Sequence, residues 1–211
     1  DQTRRQRQMC IRDRLFSFSA DESIIDRVNN YCEEKKGKTY DEILFVSVKE
    51  QMMYHIVENT IVKEYLVSTA KKGVGNQKNS DMTPHGLHYI KEKYGSKTPQ
   101  NGRMIGRVFY GQIAKIYYDT TSSKTDDITS RILWLSGIEK DINKDGNVDS
   151  YNRYIYIHGT SEEGKIGSPA SNGCIRMLNN DIIELYAKIK IGTKVLIPVS
   201  YTHLRAHETP R

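Results

Sequence analysis

The chain has 211 residues, 37% hydrophobic and 27% charged, with a formal net charge of +6 and a mean hydropathy of −0.65. That length suits one domain with extensions, or at most two small ones, and no apolar run approaches the roughly 18 residues that cross a bilayer. Nor is the charge a nucleic-acid signature: residues 1–14 carry five Arg against two Asp, residues 201–211 two Arg against one Glu, and the middle keeps +2, with no basic stripe of interleaved aromatics.

Residues 1–18 and 200–211 have no apolar period and no turn logic; they resemble translated adapter sequence and are expected to be non-native or disordered tails. The basic start lacks the apolar stretch of a secretory leader, so an exported protein would have lost its leader. Residues 19–41 form a helical lead-in. Ser19 or Asp21 is placed to cap a helix through about Glu34, with Ile24, Ile25, Val28 and Tyr31 on one side, and Lys35-Lys36-Gly37-Lys38 stops it.

Three β-branched or aromatic runs follow, Ile43 to Val48, Met52 to Val57 and Ile61 to Ser68, and predict a β-meander. A loop from Lys71 to Asn76 leads to Thr83-Pro84-His85-Gly86 and an alternating segment. His85 and His88 are three apart, but a strand turns them to opposite faces, so loop and rim positions are expected rather than metal ligands. Ile113 to Tyr118 and Ile132 to Leu135 read as strands, with Trp134 in the core. Asp141 to Asn152 has oxygen-bearing residues at calcium-loop spacing, but Asn152 stands where a bidentate Glu would close the site. Calcium and a solvated turn both remain open there, the turn favoured. Tyr151 to Ile157 reads as a strand. Asn179 or Asn180 caps a helix over about Asp181 to Lys190, buried through Ile182, Leu185, Tyr186 and Ile189, and Thr193 to Val199 is the last strand. Many short strands with one or two helices predict a mainly β fold, a sandwich or closed sheet over residues 42–199.

The cysteines are Cys10, Cys32 and Cys174, an odd count that does not suggest a disulfide scaffold. Cys174 lies in Ser171-Asn172-Gly173-Cys174-Ile175-Arg176-Met177, sixteen residues after His158 in Tyr154-Ile155-Tyr156-Ile157-His158-Gly159-Thr160. A thiol attacks as thiolate, and an imidazole can take its proton and return it to a leaving amine. Gly173 clears space beside the sulfur, and the N–H groups of Gly173 and Cys174 are natural oxyanion donors. No Asp or Glu stands in the motif, so a carbonyl near Gly159 is the expected orienting partner for the His158 ring. Ser171 and Asn172 hold the turn or contact substrate. Arg176 attracts a substrate carboxylate or pairs structurally, both suited to its fork. Tyr154 and Tyr156 alternate along the strand before His158; one of them lines the cleft or, the favoured reading, both pack in the core.

His158-Gly159-Thr160, then Ser171-Asn172-Gly173-Cys174-Ile175-Arg176, resembles the L,D-transpeptidase (YkuD-like) family, as does Thr83-Pro84-His85-Gly86. Asn172 departs from the pattern, standing where many members have His. The resemblance covers roughly residues 42–199. It implies a β-sandwich-like catalytic fold with Cys174 on a turn preceding a helix. It also implies acyl transfer through a Cys174 thioester, with Cys174, His158, Gly173 and Gly159 as catalytic residues and no metal or cofactor. Ser171, Asn172, Arg176 and Tyr156 are the candidate substrate contacts. The implied partner is a peptidoglycan stem peptide, with a second stem peptide, an outer-membrane lipoprotein or water as acceptor, in the periplasm or cell wall. An L,D-carboxypeptidase and a non-catalytic wall-binding domain are the alternatives.

Overall fold

The computed structural model describes residues 23–199; both tails, with Cys10, Ser19 and Asp21, lie outside them. Among the described residues the first helix, α1 (Ile24–Lys36), starts at Ser23, whose side chain accepts the Asp26 N–H at 3.1 Å, and it ends at Gly37 in the left-handed conformation (φ 64°). The observed cap is thus Ser23. Val28 and Cys32 are buried, with Ile24, Ile25 and Tyr31 packed beside them against the sheet.

The strands are β1 (Glu42–Ser47), β2 (Met52–Val57), β3 (Thr60–Ser68), β4 (Gly86–Tyr94), β5 (Gly102–Ile105), β6 (Val108–Ile113), β7 (Ile128–Gly137), β8 (Tyr156–Thr160), β9 (Ile175–Met177) and β10 (Lys194–Ile197). β1 to β3 form the expected antiparallel meander. The sheet order is β4-β10-β1-β2-β3-β9-β8-β7-β5-β6, and β4 also pairs with β7. That last pairing closes the sheet on itself, and the β5–β6 hairpin hangs outside the ring. Helix α2 (Asn179–Lys188) follows β9.

At β1 both faces of the sheet are covered. On β1, Leu44 and Val46 enter the central core with Leu133, Ile157, Ile175 and the α2 residues Ile182 and Leu185. Ile43 and Phe45 face the other way, into the cluster completed by α1. A strand buried on both faces loses its polar alternation, and for that reason residues 43–46 are an unbroken apolar run.

Several elements differ from expectation. The strand expected at Ile113 to Tyr118 ends at Ile113, and its pairing with β5 makes a hairpin that periodicity did not reveal. The strand expected from Tyr151 begins only at Tyr156; residues 151–154 turn, with Tyr154 at φ 57°. His88 is not on a rim: it lies within β4, fully buried, its ring bonded to the Gly86 carbonyl at 3.0 Å and to Ser150 Oγ at 2.9 Å. In the 141–152 segment, Asn143 Oδ1 accepts the Glu139 N–H, and Asp149 accepts those of Asp145 and Asn152. These oxygens serve the turn itself.

Candidate functional site

The turn at 171–174 is built by Ser171 and Gly173. Gly173 has φ 124°, and a Cβ there would meet the Met82 carbonyl oxygen at 3.3 Å, so only glycine follows this path without strain. Buried Ser171 donates to the Cys174 carbonyl at 2.5 Å and accepts the Gly173 N–H at 3.2 Å. That bond uses the Gly173 N–H, one of the two expected oxyanion donors. The three residues of β9 follow Cys174 directly, so the turn precedes a strand and reaches α2 only after it.

Parallel pairing of β8 with β9 sets Ile157 opposite Ile175 and His158 opposite Arg176. Ile157, Ile175 and Met177 enter the central core. Alternation therefore places Tyr156, His158, Cys174 and Arg176 on the opposite face. Main-chain groups hold the sulfur: the Tyr156 N–H donates to Sγ at 3.4 Å, and the thiol donates to the Tyr154 carbonyl at 3.5 Å. His158 is buried, and its Nδ1 lies 2.7 Å from the Gly159 carbonyl oxygen. A neutral ring donating from Nδ1 keeps its accepting lone pair on Nε2. The carbonyl expected to orient this ring is thus in place. Sγ and the ring share a face, but the hydrogen bonds of each go to the main chain.

Gly159 serves packing. A Cβ there would lie 2.7 Å from both Asn179 Oδ1 and the Thr129 carbonyl oxygen. Asn179 itself is buried, donating to the Thr160 carbonyl at 2.9 Å and accepting from Thr129 and Ser130. Gly159→Ala is expected to destabilise by about 1–3 kcal/mol through overpacking, read as a fall in urea midpoint at unchanged slope. An unchanged midpoint would show that β8 has room to shift.

Burial pushes the Cys174 thiol up to about 11, with the Tyr156 N–H, Arg176 and Arg153 pulling the other way. It pushes His158 down to about 4 against the Gly159 hydrogen bond, and His88 down to about 3. Thiol and imidazole are both uncharged at neutral pH. The two rings must charge when the chain unfolds in acid. Their folded values lie below the ordinary 6.5, so their stabilisation is complete above that pH and is lost as pH falls through 4 and 3. Between pH 6.5 and 5 each ring is expected to withdraw about 2 kcal/mol. Urea unfolding at pH 7.5 and pH 5 checks this, and His88→Gln removes one share of the slope. Equal stability at the two pH values would contradict the neutral buried rings.

Arg176 is 3% exposed, with Nη1 2.9 Å from Glu162 and Nη2 2.6 Å from Asp126. Of its two expected roles, these contacts are the structural one. Asn172 donates to the same Asp126 at 3.2 Å. Tyr156 is also in its packing role: it is buried edge-on to Trp134, and its hydroxyl accepts from Arg107 at 3.2 Å. Trp134 is core as expected, stacked on Tyr151 and Tyr154.

Asn172 is exposed and lines a cleft of ≈ 440 Å³ with Lys78, Asn79, Asp81, Asn152, Arg153, Tyr154 and Ile155. Arg153 braces it, donating to the carbonyls of Gly75 at 3.1 Å and Met82 at 2.7 Å. The 78–81 wall was not foreseen. Asn79 and Asp81 sit at positive φ, as turn-forming Asn and Asp readily do, and a run of turn residues does not by itself mark a cleft wall.

A closed, mainly β sheet with a cysteine turn beside a strand-borne histidine defines the class, a β domain with a candidate thiol centre. The L,D-transpeptidase catalytic domain family (YkuD) matches residues 41–197, most of the chain. The chain belongs to that family. A 45-residue segment is 51% identical to the putative L,D-transpeptidase YqjB of Bacillus subtilis (strain 168), covering 21% of this chain and 26% of that protein. A 53-residue segment is 45% identical to the probable L,D-transpeptidase ErfK/SrfK of Escherichia coli (strain K12), covering 24% and 17%. These matches span about a quarter or less of the curated relatives. Among solved structures, an L,D-transpeptidase from Mycobacterium smegmatis is similar at a TM-score of 0.46 and 12% identity, over 76% of this chain and 60% of that one.

Proposed function

We propose that this domain is a cysteine acyltransferase acting on peptidoglycan stem peptides, with Cys174 as nucleophile and His158 as base. The observation that carries the reading is the β8–β9 register, which puts the cysteine turn and the histidine on one face; Asn172 of that turn lines a polar cleft. As Sγ attacks the scissile carbonyl, the thiol proton passes to His158 Nε2 and a C–S bond forms. The C–N bond then breaks, and the imidazolium returns the proton to the leaving amine. An acceptor amine resolves the thioester as a transpeptidase; water resolves it as an L,D-carboxypeptidase. Burial raises the thiol and lowers the ring, which favours proton movement during attack over a resting ion pair. The Cys174 N–H is the proposed oxyanion donor that remains, because Ser171 takes that of Gly173. Asn172 contacts the substrate at the cleft wall, with Ser171, Arg176 and Tyr156 supporting the turn behind it. The site of action is the cell wall or periplasm, with a second stem peptide or an outer-membrane lipoprotein as acceptor.

The test incubates the domain with purified tetrapeptide stems and follows products by mass. Cross-linked dimer with release of terminal D-alanine is expected. Tripeptide alone would mark a carboxypeptidase, and unaltered peptide that still binds would mark a wall-binding domain.

A further inference from the structure

The two-residue turn of the β5–β6 hairpin joins Ile105 to Val108 through Gly106 at φ 56° and Arg107 at φ 71°. A turn with both central residues at positive φ favours Asn-Gly or Gly-Gly, and arginine in its second position is strained. Such strain persists where the surroundings hold it, and it points from conformation to role. What holds Arg107 is an aromatic box. Its guanidinium carbon lies 4.5 Å from the Trp134 ring centroid, 5.7 Å from that of Tyr94 and 6.0 Å from that of Tyr154. Its Nη1 donates to the Tyr156 hydroxyl at 3.2 Å. The neighbouring Ile105 and Val108 are about half exposed, at 53% and 48%, so Arg107 seats the turn itself, while Met104 and Phe109 pack the hairpin behind it into the Trp134–Tyr156 cluster.

Tyr156 links this contact to the candidate nucleophile. It pairs with Trp134 across β7–β8, packs edge-on to that ring, and gives its main-chain N–H to Cys174 Sγ. We propose that Arg107 is a positioning residue for Cys174: from the hairpin tip it clamps Trp134 and Tyr156 and so fixes the N–H that holds the sulfur. The consequence for acyl transfer rests on the proposed role of Cys174; the consequence for thiol reactivity does not.

Two variants test this. Arg107→Gly installs the residue that the turn prefers and removes the clamp; Arg107→Lys keeps a cation over the rings without the planar fork. Alkylation of Cys174 by iodoacetamide is followed on its own peptide, and acylation by a carbapenem at saturation on intact mass. Arg107→Gly is expected to raise the alkylation rate about fivefold and lower the acylation rate about tenfold, since a small misplacement of a reacting group is costly. Arg107→Lys falls between Arg107→Gly and wild type in both assays. Arg107→Gly within about twofold of wild type in alkylation overturns the proposal. So does slower acylation with unaltered alkylation, because Arg107 would then act on the ligand. Wild type that alkylates but never acylates overturns the nucleophile reading alone, and the alkylation comparison still decides the clamp. If Arg107→Gly does not fold, wild-type alkylation of Arg107→Lys overturns it instead.

Discussion

Cys174→Ala is expected to remove acyl transfer and leave the domain folded. Loss of a nucleophile in a concerted catalytic unit lowers turnover by about 10⁴-fold or more. The structural loss is small, because the sulfur's hydrogen bonds run to main-chain groups of Tyr154 and Tyr156 at 3.4–3.5 Å and its packing is peripheral to the aromatic cluster. His158→Gln probes the second half of the pair. Glutamine can donate to the Gly159 carbonyl but cannot shuttle a proton, so a fall of about 10²–10⁴-fold is expected. Groups that act as a unit do not add, so the double variant should be no slower than Cys174→Ala. Turnover is read from stem-peptide products and folding from thermal unfolding. Retained turnover in Cys174→Ala, or a double variant slower by the product of the single effects, would contradict a shared mechanism.

Arg176→Met is expected to destabilise strongly and leave the Michaelis constant alone. Arg176 and Glu162 are buried together at 2.9 Å. Removing one partner of a buried pair costs about 3–5 kcal/mol, because the other charge stays behind. Glu162 retains Lys165 at 2.9 Å and the Ser123 N–H at 2.5 Å, so the lower end, about 3 kcal/mol, applies. Adding Glu162→Gln to Arg176→Met should recover part of that loss, giving a coupling readable in a double-mutant cycle. If Arg176 instead recruited a substrate carboxylate, the variant would keep its stability and lose affinity for the stem peptide.

The elements legible in the sequence are those whose signals are local. The meander showed in three β-branched runs, α1 in its apolar spacing and its Lys-Lys-Gly stop, and α2 in Ile182, Leu185 and Ile189. The β5–β6 hairpin was hidden because its turn is Gly-Arg and its outer positions carry exposed apolar side chains. Tyr151 to Tyr154 misled because aromatic residues favour strands, whereas Tyr154 adopts positive φ to place its carbonyl by the sulfur. The cysteine turn and the histidine were recognisable by motif. Their common face follows from a parallel register between distant segments, which no local pattern encodes. The partners of Arg176 lie 50 and 14 positions away in sequence, so its choice between substrate and structure needed the fold. The rim position expected of His88 fails for the same reason: the ring's partner inside the fold, Ser150, lies 62 residues on.

The central claim is that Cys174 is the reactive thiol of this domain. Its most direct test is the intact mass of wild type and Cys174→Ala after incubation with a carbapenem, with the modified peptide identified. A single adduct on Cys174 in wild type is expected, with none in Cys174→Ala and none on the buried Cys32. Folded wild type that gains no mass, or a variant that gains the same adduct elsewhere, would contradict it.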